Sequence, residues 1–252
     1  MDMVAISALN IDYPIQAGND PMLRSDVAAL CPAVRWGSET VVDTRTFISL
    51  TAMMRDRMGP PRLGGSAFNA LRTLRAIAPD LRLGIIGAIG NTLAAQNFRK
   101  WFAENGIDTP FVAPCVDLPP GGCLSLEQGG ERTLFTTRGA NDRLCQILRH
   151  HPQAVANWIA QARIVHLSSF FDPDSPALLA EMLASCRDGN PKLEISIDPG
   201  AHWAARSRND PPSRLLLAMA TPLFGHQAES ALTHVPVQPP PLPSAAPTPS
   251  RP

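Results

Sequence analysis

The sequence predicts an α/β fold in which parallel strands alternate with helices. Apolar runs of strand length recur along the chain, and segments with helical periodicity stand between them. A strand, a helix and a further strand usually form a right-handed crossover, so this alternation favours a layered sheet with parallel strands. The 252 residues, of which 44% are hydrophobic, can bury a substantial core as one large domain or two small ones.

Two strands and two helices are predicted in the first part of the chain: residues 3–9 and 81–86 as strands, and residues 69–78 and 92–105 as helices. Thr92 is expected to cap the second helix, because its hydroxyl can accept a hydrogen bond from a first-turn amide. Pro79 ends the first helix, and Gly106, which tolerates a left-handed conformation, ends the second.

The same alternation returns in the second half of the chain. Residues 163–167 and 193–197 are short apolar runs that predict strands, and a helix is expected between them. Ser175 is predicted to cap this helix, Pro176 occupies its first position, and Gly189 lies beyond its end. The two halves together predict one parallel sheet covered by helices.

Two stretches, residues 13–63 and 110–138, do not fit this alternation. The second contains short β-type runs separated by prolines and glycines. Both are predicted to leave the main sheet and to form a small antiparallel flap. Ligands of open α/β sheets bind at the carboxyl ends of the strands, so a flap at that edge would act as a lid.

The end of the chain differs in composition from the rest. Residues 235–252 include eight prolines, no aromatic residue and no glycine. Such a segment buries too little apolar area to offset the entropy of ordering, so we expect a disordered tail after a domain that covers residues 1–234. A proline-rich tail can bind an SH3-like groove, but an unstructured end without a partner is the stronger expectation.

Composition and charge exclude several classes of protein. The 22 basic and 22 acidic side chains balance, whereas a general nucleic-acid binder would carry a basic surplus. The longest apolar runs are strand-sized and too short to span a membrane. The five cysteines are dispersed without a Cys-x-x-Cys pair, and the first residues carry no Lys or Arg. These features predict reduced thiols in a cytoplasmic protein without a signal peptide.

Candidate binding residues follow the first strand and precede the first helix. Paired glycines, Gly64 and Gly65, allow close backbone approach, and Asn69 on the following helical turn offers an amide that can donate to and accept from hydroxyls. A plain glycine turn is the alternative explanation. Asn10 and Asp12 come after the first strand, where a carboxylate can bind the hydroxyl of a polyol.

The order of these motifs resembles that of the PfkB, or ribokinase-like, carbohydrate kinases. The chain is similar to that family in Asn10-x-Asp12, in the paired glycines followed by Asn69, in residues 139–141 (Gly-Ala-Asn) and in residues 198–200 (Asp-Pro-Gly). The resemblance implies a three-layer α/β sandwich with a parallel central sheet and a small β lid, here incomplete at the C-terminus. It also implies that Asn10, Asp12, Gly64, Gly65 and Asn69 bind a sugar or nucleoside, with ATP and Mg²⁺ as cofactors.

The chain departs from the family pattern where phosphoryl transfer would occur. No Gly-Ala-Gly-Asp segment, which supplies the family's base and anion-binding amides, is present in the sequence. Asp142 follows Gly-Ala-Asn directly after the predicted lid strands and is expected to cap a helix rather than act as the base. Glu229 alone remains of the family's Asn-x-x-Glu, and a solvated helix carboxylate is the alternative to a role near magnesium and phosphate.

Two functional hypotheses follow from the resemblance and its departures. The first is an ATP-dependent kinase of a sugar or nucleoside that is inactive in this chain, because the base and the anion site are both missing. The second is a non-catalytic remnant or a sugar-binding module that ends near Leu232. The missing base and anion site argue against binding of ATP and Mg²⁺, and no catalytic residue and no metal ligand is assigned. A truncated sheet would expose apolar edges, which are expected to favour self-association.

Overall fold

The computed structural model describes residues 1–18, 20–168 and 172–221. The strands are β1 (Met3–Ile6), β2 (Asn10–Gln16), β3 (Glu39–Val41), β4 (Arg62–Gly64), β5 (Leu83–Ile89), β6 (Asp108–Pro114), β7 (Gly121–Gln128), β8 (Glu131–Thr137), β9 (Ile164–Ser168) and β10 (Glu194–Asp198). The helices are α1 (Leu23–Leu30), α2 (Thr44–Met53), α3 (Ser66–Ile77), α4 (Leu93–Glu104), α5 (Leu144–His150), α6 (Pro152–Ile159), α7 (Ser175–Gly189), α8 (Gly200–Ser207) and α9 (Pro211–Ala218). The predicted tail, residues 235–252, and Glu229 lie outside the described residues.

The main sheet contains, within the described residues, five parallel strands in the order β10-β9-β1-β5-β6. The central strand β1 lies between β5 and β9, with Ile6 opposite Ile86 on one side and Leu167 on the other. The predicted parallel α/β sheet is confirmed. The strand order reverses at β1, so the chain crosses to both sides of the sheet from its centre.

Helices cover both faces of the main sheet because its strands are apolar on both faces. Val4 and Ile6 of β1 pack in one core with side chains of α5, α6 and α7. Met3 and Ala5, which point the opposite way, pack in a second core with α3 and α4. The three-layer sandwich is therefore confirmed.

The predicted capping residue is right for one helix and wrong for another. Thr92 caps α4, since its hydroxyl accepts a hydrogen bond from the Ala95 amide at 3.2 Å. Ser175 does not cap α7. Asp172, three residues earlier and 3% exposed, accepts from the amides of Asp174 at 3.1 Å and Ser175 at 2.8 Å. A carboxylate satisfies two free amides at once and attracts the positive end of the helix, which a hydroxyl does less well.

Replacing Asp172 with alanine should lower the free energy of unfolding by about 2 kcal/mol, because the buried Ser175 amide and the partly buried Asp174 amide lose their acceptor. Ser175→Ala removes only the hydroxyl that donates to Asp172, and should cost less than about 1 kcal/mol. Urea denaturation followed by tryptophan fluorescence measures both values. A larger loss for Ser175→Ala than for Asp172→Ala would restore the serine cap predicted from the sequence.

A second sheet, which we call the lid sheet, has the order β3-β8-β7-β2-β4 among the described strands. The predicted small β lid is confirmed, but its antiparallel pairing is wrong, because β2 runs parallel to β7 and β3 parallel to β8. The chain enters β2 after the main-sheet strand β1 and enters β7 after β6. It leaves the main sheet at the same edge both times, so β2 and β7 point the same way. The pairs that bring the chain back, β2 with β4 and β7 with β8, are antiparallel.

The predicted second lid stretch, residues 110–138, begins too early. Residues 108–114 form β6, which pairs with β5 in the main sheet, so that Phe111 lies opposite Ile86. The lid sheet takes up the chain only at Gly121. The run of apolar and proline residues across 110–120 hides this boundary, since edge strands tolerate proline.

The lid sheet is apolar on one face and polar on the other. Ile15, Leu124 and Phe135 pack with α1 and α2, which lie in the stretch between β2 and β4. Asp12 and Cys123, which are opposite each other in the register, point to the other face. Helices thus cover the outer face of the lid sheet and leave its polar face for contacts with the rest of the molecule. No helix among the described residues is both long and apolar enough for a membrane span.

Candidate substrate-binding site

The predicted binding residues meet where the chain passes between the two sheets. Four segments make this passage, and we call them the crossings: residues 7–9 from β1 to β2, Gly65 from β4 to α3, residues 115–120 from β6 to β7, and Arg138 from β8 to the 3₁₀ turn Gly139–Arg143. All of them lie at the carboxyl edge of the main sheet, where open α/β sheets bind ligands. The lid sheet also touches the main body elsewhere, because α8 lies against β3.

The paired glycines are required by their surroundings and do not form a plain turn. Gly65 has a φ of +111°, and a Cβ atom there would overlap the carbonyl oxygen of Ala8. A Cβ atom on Gly64 would overlap the carboxylate of Asp12. The glycines therefore let the second crossing press against the first and bring the Asp12 carboxylate onto the backbone that leads into α3.

Two serines at strand ends complete this arrangement. The Ala67 amide donates to Ser168 Oγ at 2.7 Å, and the Phe68 amide donates to Ser7 Oγ at 3.2 Å. Ser7 Oγ in turn donates to the Ala8 carbonyl at 2.8 Å. These hydroxyls cap α3 from the ends of β9 and β1, so these two amides are not free to bind a phosphate. Sequence reasoning missed both capping serines, because a serine after a buried strand is common and does not by itself indicate a helix cap.

Asn69 presents an unsatisfied acceptor at this place. Its backbone N–H donates to the Gly65 carbonyl at 2.8 Å, which places the residue on the first turn of α3. Asn69 Oδ1 is buried and has no hydrogen-bond partner among the described residues. A buried oxygen without a partner is uncommon in folded proteins and asks for a donor. A hydroxyl of a bound ligand would provide one.

Asp12 has an unusual electrostatic environment. Burial raises the pKa of its carboxyl from 3.8 to about 6, although the nearby Arg132 and Arg72 guanidinium groups act in the opposite direction. Near neutral pH the group is mainly a carboxylate that accepts hydrogen bonds, and below pH 6 it can also donate one. Its position against Gly64 places it beside the segment that holds Asn69.

Asn10 is placed differently from the other predicted residues. It is 7% exposed, and its Oδ1 accepts a hydrogen bond from Asn141 Nδ2 at 2.8 Å. Asn141 Oδ1 accepts from the Leu9 amide at 2.9 Å. The side-chain oxygen of Asn10 therefore already accepts one hydrogen bond within the protein, unlike Asn69 Oδ1.

Of the two residues weighed for phosphoryl transfer, Asp142 lies within the described part of the chain. Asp142 forms an ion pair with Arg138 at 3.5 Å, and burial raises the pKa of its carboxyl. It does not cap α5, which begins at Leu144 without a side-chain cap. Glu229 is outside the described residues, and within them no three His, Cys, Asp or Glu side chains come together as metal ligands. Two α3 amides are already capped by serine hydroxyls, so these two donors are not available to a phosphate.

A cavity outside this site lies between β6 and α5. It has a volume of about 550 Å³, and Phe111, Cys115, Arg143, Ile147, His150 and His151 are among the residues that line it. None of the predicted binding residues lines it. The cavity follows the outer edge of the main sheet, whereas the candidate site is built on the crossings.

Solved structures with the same fold are known. The chain superposes on adenosine kinase from Schistosoma mansoni in complex with 2-fluoroadenosine with a TM-score of 0.74 and 12% identity, covering 92% of this chain and 64% of that one. Adenosine kinase from Anopheles gambiae gives 0.72, with 16% identity and coverage of 92% and 67%. A probable sugar kinase from Rhizobium etli gives 0.72, with 14% identity and coverage of 92% and 66%. The chain thus spans about two thirds of the length of these proteins.

The family of the chain follows from its sequence. No curated protein matches the chain. The model of the pfkB family of carbohydrate kinases matches residues 59–240, well over half of the 252. This range begins just before the paired glycines and includes Asn69 and the Gly-Ala-Asn segment, which the sequence shares with the family. The chain therefore belongs to the pfkB family of carbohydrate kinases.

Proposed function

We propose that this chain binds the hydroxyls of a sugar or nucleoside between the polar face of the lid sheet and the start of α3. The buried, unpartnered Asn69 Oδ1 carries this proposal. Because Asn69 and Asp12 both adjoin the paired glycines, one ligand with neighbouring hydroxyls can donate to Asn69 Oδ1 and to the Asp12 carboxylate. Structural neighbours solved in complex with adenosine and 2-fluoroadenosine support this class of ligand.

The burial of Asp12 strengthens a hydrogen bond that a ligand donates to it. Burial raises the pKa of Asp12 because it removes water from the carboxylate. A ligand hydroxyl that donates to the carboxylate therefore does not have to displace much water. The lid sheet supplies Asp12 and the main body supplies Asn69. Binding therefore depends on how the two sheets sit against each other.

We further propose that this 252-residue chain binds its ligand without transferring a phosphoryl group. Transfer needs a base for the accepting hydroxyl and donors for the transferring phosphate. The family's Gly-Ala-Gly-Asp segment does not occur in the sequence, Asp142 is paired with Arg138, and the Ala67 and Phe68 amides are capped by serines. An active ATP-dependent kinase is the second candidate, supported by the kinases that share the fold.

Titration calorimetry with adenosine, ribose and hexoses tests the binding proposal. At least one ligand of this class should bind. Asn69→Leu should lower the affinity at least tenfold, because the oxygen that accepts the hydrogen bond of the ligand hydroxyl is lost. Asn105→Leu changes the same residue type at the end of α4, where Asn105 only donates to the Trp101 carbonyl at 2.8 Å. It should leave affinity unchanged. Equal effects of the two substitutions, or no binding by the parent chain, would refute the assignment of the site.

Incubation with ATP, Mg²⁺ and the same ligands tests the absence of transfer. Product should not exceed that of a sample without protein. Phosphorylation above this background would favour the kinase, and its loss in Asp142→Asn, with binding intact, would identify Asp142 as the base after all.

A further inference from the structure

Asn141 lies at a place where several crossings meet, yet it belongs to neither sheet. It is 6% exposed and lies in the 3₁₀ turn that follows the lid strand β8. Its carboxamide accepts from the Leu9 amide at 2.9 Å and donates to Asn10 Oδ1 at 2.8 Å. One side chain from the turn that follows the fourth crossing thus holds the first crossing, which leads from β1 to β2.

The third crossing is packed onto the same two carboxamides. A Cβ atom on Gly121, the first residue of β7, would overlap both Asn141 Nδ2 and Asn10 Oδ1. Beside it, the Ala140 amide donates to the Pro119 carbonyl at 2.8 Å. Three of the four crossings therefore meet at or beside one buried contact between two asparagines.

Glycines around this contact leave the backbone no room to shift. Cβ atoms on Gly139 and on Gly90 would both overlap the backbone of Pro119 and Pro120. On the main-sheet side, a Cβ atom on Gly87 would come within 2.9 Å of the Ser7 carbonyl oxygen. In such close packing, loss of the Asn141 hydrogen bonds cannot be made good by a small local movement.

We propose that Asn141 is a positioning residue that fixes the lid sheet relative to the main sheet and so sets Asp12 opposite Asn69. The effect on ligands rests on the function proposed above, but the effect on the lid does not. Asn141 acts through Leu9 and Asn10, which begin the strand that carries Asp12. Without the contact, the lid sheet opens more often while the main sheet stays folded.

Hydrogen exchange tests the effect on the lid directly. Asn141→Asp keeps the acceptor for the Leu9 amide and removes the donor to Asn10. It should speed exchange of the amides of β2, β7 and β8 at least tenfold and leave those of β1, β5 and β9 within a factor of two. Asn190→Asp is the matched control, because Asn190 Nδ2 donates to the Ala160 and Ala162 carbonyls at 2.9 and 3.1 Å within the main body. Asn190→Asp should not speed amide exchange in the lid sheet more than in the main sheet.

A merely structural role gives a different result. Loss of overall stability speeds exchange in both sheets by the same factor, and that outcome, or unchanged exchange in the lid, overturns the proposal. Should Asn141→Asp fail to fold, Asn141→Ser, which leaves room for a bridging water, provides the same comparison. Selective exchange in the lid of either variant supports the proposal.

Ligand affinity separates this proposal from the proposed function. With adenosine as the probe, Asn141→Asp should raise the dissociation constant at least tenfold and Asn190→Asp less than twofold. If the parent chain binds neither adenosine nor a sugar, the proposed function fails while hydrogen exchange still decides the role of Asn141. If the lid opens selectively but adenosine binds with unchanged affinity, Asn141 does not position the site and the proposal is wrong.

Discussion

Gly65→Ala should lower the free energy of unfolding by about 4 kcal/mol or more, or prevent folding altogether. The φ of +111° is unfavourable for any residue with a Cβ atom and alone costs roughly 1–3 kcal/mol. The added atom would also overlap the Ala8 carbonyl oxygen, which is backbone and cannot rotate away. Relief requires the first and second crossings to separate, which disturbs the Ser7 hydrogen bonds to Ala8 and Phe68 as well.

Gly106→Ala is the matched control for this prediction. Gly106 also has a positive φ, +58°, but nothing lies within 4 Å of the position of its Cβ atom. Its loss should be about 1 kcal/mol, the cost of the left-handed conformation without a clash. Chemical denaturation of both variants measures the difference. Equal losses would mean that the Ala8 contact is not tight and that Gly65 serves only as a turn residue.

The fold was largely predictable because its signals are local. Buried strands such as residues 83–89 are continuous apolar runs, and Thr92 and Gly106 mark the ends of α4 within a few residues of sequence. The direction of the lid strands was not predictable in this way. Whether β2 pairs with β7 in parallel depends on where both leave the main sheet, which is a property of the assembled fold.

In the candidate site, too, residues with a local sequence signal could be predicted and residues that depend on distant partners could not. Asp12 and Asn69 could be proposed because a carboxylate after the first strand and an amide after paired glycines are unusual in combination. The state of Asn10 could not be foreseen, since its partner Asn141 is 131 residues away. Ser7 and Ser168 were missed for the same reason, because a serine at a strand end becomes a helix cap only when a distant helix begins beside it.

Asp12 should make the stability of the protein depend on pH in a sense opposite to that of most carboxyl groups. Its pKa is about 6 in the folded state against 3.8 ordinarily, so between these values the folded state holds more protons than the unfolded state. The contribution of the Asp12 carboxyl to the free energy of unfolding is fully present below about pH 4 and is lost as the pH rises through about 6. A shift of this size corresponds to about 2–3 kcal/mol, with Arg132 and Arg72 already included in the net value.

Comparison of Asp12→Asn with the parent chain isolates this contribution. The two proteins should be similarly stable near pH 4, and the variant should be about 2–3 kcal/mol more stable at pH 7, because an amide avoids the cost of a buried charge. Asp43→Asn should show the opposite trend, since hydrogen bonds from Thr46 hold the pKa of Asp43 below its usual value. If the difference for Asp12→Asn is independent of pH, the carboxyl is not desolvated and the reasoning fails.

The proposed binding role gives a reason for the stability that Asp12 costs the protein at neutral pH. An aspartate that destabilises the protein at neutral pH does not serve the fold, because asparagine has nearly the same shape without the charge. The carboxylate can accept a hydrogen bond at each of its two oxygens, whereas the asparagine side chain has only one oxygen that accepts and a nitrogen that can only donate. Asp12→Asn should therefore bind adenosine or a sugar at least tenfold more weakly while unfolding at a higher denaturant concentration. A variant that gains stability and keeps full affinity would show that Asp12 does not contact the ligand.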